Sequence, residues 1–112
     1  MEINTERDGS VTIVSIAGSL DALTAPQLDE LLDREIQEGH VKLVTDFSKL
    51  EYISSAGLRV LLNAVKETRR RNGDVRLASV QADVTKVMEM SGFTSILKHY
   101  PDRAAAVASF AA

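Results

Sequence analysis

The alternation of two hydrophobic periods constrains this chain most. Short runs of β-branched residues recur between longer stretches with helical spacing. Val11-Thr12-Ile13-Val14-Ser15-Ile16-Ala17 lies between Asp8-Gly9-Ser10 and Gly18. Both of its faces carry apolar groups, the pattern of an interior strand. Residues 3–7 are placed to pair with it across Asp8-Gly9 as a hairpin. Val41-Lys42-Leu43-Val44-Thr45 and Val75-Arg76-Leu77-Ala78-Ser79-Val80 read as further strands, and Ile96-Leu97-Lys98 as a short edge strand.

The stretches between them read as helices. Leu28, Leu31, Leu32 and Ile36 share one stripe, as do Leu58, Leu61, Leu62 and Val65, and then Val84, Val87 and Met88. Thr24 followed by Gln27 forms a capping-box pattern, with Pro26 in the first turn and Gly39 placed to end the helix. Asn72-Gly73 ends the second helix, whose last turn carries Arg69, Arg70 and Arg71, where cations favour the helix dipole. Gly92 stops the third, with Phe93 after it as a core aromatic and Met88 and Met90 read as core. Asp102 is placed to cap a short alanine-rich helix over 104–108. The order is β-β-α-β-α-β-α-β-α. It implies an α/β fold with a mixed sheet of four to five strands and about four helices. A chain of 112 residues, 45% of them hydrophobic, forms one domain over 1–112 with its core at about 3–110.

Several function classes drop out on composition. A net charge of −3 supports neither nucleic acid nor an anionic membrane as partner. The chain has no cysteine, so disulfides, thiol catalysis and cysteine-bound metals are excluded. It has no apolar run near the ~20 residues of a membrane helix, and its N-terminus is too polar for a signal peptide. The expected location is the cytoplasm. His40 and His99 are isolated, without ligand spacing, so no metal is expected. No phosphate-binding glycine loop is present, so no cofactor is expected and any nucleotide belongs to a partner.

Sites in such sheets lie beyond the carboxyl ends of strands. Three loops qualify: Gly18–Thr24, Asp46–Gly57 and Val80–Asp83. The second ends in Ser54-Ser55-Ala56-Gly57-Leu58, a strand-to-helix turn. Backbone N–H groups at a helix start have no helical partner and favour a phosphate. Ser54 and Ser55 are therefore either phosphate acceptors or ordinary caps. Gly57 is either a place where another backbone or an incoming partner comes close, or a packing accommodation. Asp46 ends its strand, where it either orients a serine hydroxyl or binds loop N–H groups.

The ordered set Gly18-Ser19-Leu20-Asp21, Asp46-Phe47-Ser48-Lys49-Leu50, Tyr52-Ile53-Ser54-Ser55-Ala56-Gly57-Leu58-Arg59-Val60-Leu61 and Met90-Ser91-Gly92-Phe93 resembles the STAS domain of bacterial anti-sigma factor antagonists. The resemblance implies a non-enzymatic binding module. Its unphosphorylated form would sequester an anti-sigma factor that is also a serine kinase, freeing a sigma factor. Phosphorylation would break the complex, and a PP2C-type phosphatase would reset it. The family's acceptor serine, two residues before the glycine, falls on Ser55, with Ser54 the second choice. Ser19, Asp21, Thr24, Ser54, Ser55, Ala56, Gly57 and Arg59 become the partner-binding set, on a monomer or weak dimer. Two positions depart from the family pattern: Ser54 stands where many members have aspartate, and Ala56 where many have serine or threonine. The alternative is a constitutive STAS-type interaction module without phosphoswitching. A hydrolase using Ser55 as nucleophile would need a base within reach, and neither histidine has an evident route to the turn.

Overall fold

The computed structural model describes residues 1–111; Ala112, the last residue of the expected domain, lies outside them. Ten elements follow in chain order. They are β1 (Glu2–Asp8), β2 (Val11–Leu20), α1 (Ala25–Gln37), β3 (Lys42–Ile53), α2 (Ser55–Arg70), β4 (Asp74–Ala78), α3 (Ala82–Met90), a 3-10 turn (Phe93–Ser95), β5 (His99–Tyr100) and α4 (Arg103–Ala108). The five strands form one sheet in sequential order, with β1 antiparallel to β2 and every later pair parallel.

That order decides the layering. Each parallel connection steps to the next strand in the same direction. Right-handed crossovers then place α1, α2 and α3 on one face of the sheet. The larger core lies there: Val14, Ile16, Leu43, Phe47 and Leu77 from the sheet meet Leu28, Leu32, Leu58, Leu61 and Met88 from the helices. A smaller cluster of Val11, Ile13, Val44 and Ala78 on the other face is covered by Ala106 of α4, with Val107 and Phe110 against it. Asp102 caps α4 as its sequence implies, accepting from the Ala105 N–H at 2.8 Å.

Several expectations need correction. β3 continues through most of the expected loop 46–57, and β2 continues to Leu20. Two register shifts in the β2–β3 pairing, between Ser15 and Ala17 and between Gly18 and Ser19, each give β3 one extra residue. Gly18 takes φ +100°, a conformation other residues resist, at the second shift. The capping box at α1 does not form. Thr24 makes no side-chain cap bond, because its hydroxyl is used in the preceding turn. The last strand is His99–Tyr100 and not 96–98, since a 3-10 turn consumes the segment after Gly92. Phe93 packs against the core and Met88 is buried, but Met90 is 89% exposed at the end of α3.

Candidate functional site

The site is built where the long β2 and β3 end together. Their last pairs are Ser19 with Tyr52 and Leu20 with Ile53. Ser54, in extended backbone, donates its N–H to the Leu20 carbonyl at 2.9 Å. Its own carbonyl accepts the first α2 bond, from the Leu58 N–H at 3.0 Å. Its hydroxyl accepts from the Gly57 N–H at 3.4 Å. Ser54 is thus the N-cap and is half-buried, while Ser55, the first helical residue, is exposed. The N–H groups of Ser55 and Ala56, at the first two positions of the helix, have no partner within it.

Gly57 is buried. A Cβ at this position would lie 2.7 Å from Leu20 Cγ and 3.1 Å from Ile53 Cγ1. The close approach expected here is made from inside the fold, by the side chain of Leu20. It locks α2 down onto the ends of β2 and β3, and so sets where Ser55 emerges.

The turn after β2 is the second wall. Asp21 Oδ1 accepts from the N–H groups of Leu23 at 3.0 Å and Thr24 at 3.1 Å. Asp21 N–H donates to Thr24 Oγ1 at 2.9 Å, and that hydroxyl donates to the Ser19 carbonyl at 2.8 Å. The Asp21 carbonyl accepts from the Ala25 N–H at 2.7 Å, which starts α1. The Thr24 N–H is the main cause that holds the Asp21 carboxyl below the usual carboxylate range. Asp21 therefore does the capping that the sequence assigns to Thr24. Arg59 is exposed one turn into α2, on the same side as Ser55.

Not every expected participant comes to this edge. The Val80–Asp83 loop meets β3 earlier, where Gln81 Nε2 donates to the Ser48 carbonyl at 2.8 Å. Asp46 lies seven residues before Ile53, ~23 Å back along an extended strand, and serves the other face. It accepts from the Ser48 N–H at 2.9 Å and from Arg103 Nη2 at 2.8 Å. Burial works to raise its pKa, but the Ser48 N–H and the Arg103 guanidinium outweigh that and leave it below the usual range. Arg103 also reaches Ser15 Oγ at 2.9 Å and Glu6 at 3.2 Å, tying α4 to three strands. This hub carries no sequence signal, because its members are 97 residues apart at the extremes.

The histidines are also elsewhere. His40 precedes β3, at the end opposite Ser54, and is less isolated than its sequence implies. Glu35, Glu38 and His40 come together there, with Arg7 donating to Glu35 at 2.8 Å. Burial raises the Glu35 pKa, yet the Arg7 and His40 contacts overcome it and leave the group lowered. His99 lies on β5, two strands away from β3. Among the described residues, no helix is long and apolar enough to cross a membrane.

The edge therefore carries an exposed serine at a helix start and a hydrogen-bonded acidic turn. Comparison with known proteins identifies the family. The family model described as the STAS domain matches residues 2–106. BtrV of Bordetella bronchiseptica, named as a candidate anti-sigma factor antagonist, is 34% identical over 110 residues, covering 98% of this chain and 95% of that protein. A crystal structure of a candidate anti-sigma factor antagonist from Thermotoga maritima superposes with a TM-score of 0.90 at 22% identity, covering 96% of this chain and 92% of that one. SpoIIAA, a Bacillus cell-fate determinant solved in phosphorylated form, superposes with a TM-score of 0.73 at 19% identity, covering 93% of this chain and 96% of that one.

Proposed function

Because the chain belongs to the STAS domain family, we propose that it acts as an anti-sigma factor antagonist whose partner binding is switched off by phosphorylation of Ser55. The observation that carries the choice of residue is the division of labour in the turn. Ser54 Oγ is half-buried and holds the Gly57 N–H, while Ser55 is exposed beside it. A kinase active site reaches Ser55 without dismantling the cap.

The switch is electrostatic. Unphosphorylated, the surface formed by Ser19, Asp21, Thr24, Ser54, Ser55, Ala56 and Arg59, supported from beneath by Gly57, packs against an anti-sigma factor with serine kinase activity. A phosphate on Ser55 adds roughly −1.5 to −2 charges. Desolvating that charge, or facing it with the carboxylates of a partner, opposes the complex. A loss of ~3 kcal/mol would weaken binding by more than a hundredfold. A PP2C-type phosphatase restores the hydroxyl, and the cycle runs in the cytoplasm. In this reading the chain binds and is modified; among the described residues no histidine stands at the turn to activate Ser55 as a nucleophile.

The test is incubation with ATP and the purified anti-sigma serine kinases encoded in the same genome, followed by mass spectrometry. Phosphate on Ser55, abolished by Ser55→Ala, is the expected result. Ser55→Asp should weaken binding, whereas Ser55→Ala should keep it. Phosphate on neither serine would refute the switch and favour a constitutive interaction module.

A further inference from the structure

Large hydrophobic side chains held in water are uncommon in this chain, and their placement is uneven. Among the described residues Leu23 is 91% exposed, Met90 89% and Tyr52 52%. Two of these three flank the Ser54–Ser55 turn. Tyr52 pairs with Ser19 at the end of the sheet, and Leu23 stands in the turn that follows Leu20.

Leu23 is also the most firmly presented. Its own N–H is bonded to Asp21 Oδ1, and the Asp21 N–H is tied through Thr24 Oγ1 to the Ser19 carbonyl. Leu20, at the root of the same turn, accepts from the Ser54 N–H. The backbone bonds spent on this turn hold an apolar side chain out into solvent, at a fixed offset from Ser55. Such a side chain contributes nothing to folding where it is. It gains only when another surface covers it, and a pre-ordered turn loses little entropy on being covered.

We propose that Leu23 is the apolar anchor of the partner interface, seated in an apolar socket on the anti-sigma kinase. The inference rests on the function read above and deepens it. Ser55 supplies the switch, and Leu23 supplies affinity that does not depend on charge. Burial of Leu23 should act mainly on dissociation, while Arg59 and the neighbouring charges set the association rate and its salt dependence.

Binding of the kinase that phosphorylates Ser55 is measured by biolayer interferometry for wild type, Leu23→Ala, Leu23→Met and Met90→Ala. Met90 is the control. α3 runs from the carboxyl edge of the sheet back to the opposite end, so Met90 is equally exposed but remote from the turn. Leu23→Ala should weaken binding at least tenfold, a loss of ~1.4 kcal/mol, through a faster off-rate and with an unchanged melting temperature. Leu23→Met, which keeps apolar volume, should restore most of the affinity, and Met90→Ala should bind as wild type. Wild-type affinity in Leu23→Ala would overturn the anchor while leaving the function standing. A weakening that Met90→Ala reproduces would overturn it too, as would a Leu23→Met variant as weak as the alanine. If wild type binds none of the kinases, the function itself fails and the anchor with it.

Discussion

Gly57→Ala tests whether the Ser54–Ser55 turn is held by the contact that the structure places there. In a helix, replacing glycine by alanine gains ~1 kcal/mol of propensity. Here the new methyl carbon would lie 2.7 Å from Leu20 Cγ and 3.0 Å from Leu20 Cδ2. Leu20 is fully buried, so it cannot swing into solvent. Overpacking of this kind costs ~1–3 kcal/mol, which outweighs the propensity gain and leaves a net loss of ~1 kcal/mol. For a domain of this size that is a drop of ~4 °C in melting temperature. The decisive comparison is in a Leu20→Ala background. That change alone costs ~2–5 kcal/mol through the cavity it leaves. With the leucine gone, the methyl added at position 57 enters the vacated space, and only the 3.1 Å contact to Ile53 Cγ1 has to relax. Gly57→Ala should then become stabilising, giving a coupling of ~1–3 kcal/mol in a urea-unfolding double-mutant cycle. Gly57→Ala that stabilises the otherwise unaltered chain, or that has the same effect in both backgrounds, would refute the claim that Leu20 sets the seat of α2.

Two further outcomes follow from the hydrogen bonds. Ser54→Ala should destabilise by ~0.5–1 kcal/mol, the low end for a lost N-cap because the bond to the Gly57 N–H is long at 3.4 Å, whereas Ser55→Ala at its exposed position should change urea stability by less than ~0.5 kcal/mol. Asp46 has a folded-state pKa below its ordinary 3.8, so its contribution to stability is present above that value and lost as pH falls through the lower one. Melting temperature should fall on acidification below pH ~4, and Asp46→Asn should flatten that slope while costing ~1–2 kcal/mol near neutrality through the weakened Arg103 bond.

Much of this architecture is written in local sequence. The β1–β2 hairpin follows from Asp8-Gly9, and the helix stripes follow from 3.6-residue periodicity. The start of α2 is set by the serine pair and the end of the preceding β-run. These features depend on neighbours a few residues apart, so they are visible without the fold. The candidate acceptor serines were legible for the same reason, and the ordered motifs around them carried the family resemblance.

Tertiary structure decided what depends on distant partners. In β3, Phe47, Leu50 and Ile53 are all buried three residues apart. That spacing is neither the alternation of a strand nor a reason to expect one. It arises because each register shift against β2 inserts a residue, and so only pairing with β2 makes the segment a strand. Its extension carries the Ser54 turn beyond the end of β4 and leaves the Val80–Asp83 loop behind. The choice of Asp21 over Thr24 as cap depends on the Ser19 carbonyl claiming the threonine hydroxyl. The Arg103 hub gathers groups from both ends of the chain. Sequence alone determined that a serine-bearing helix start exists here. Packing alone determined that Leu20 lies over Gly57, that Ser54 is held as the cap, and that Ser55 and Leu23 are the side chains left facing outward.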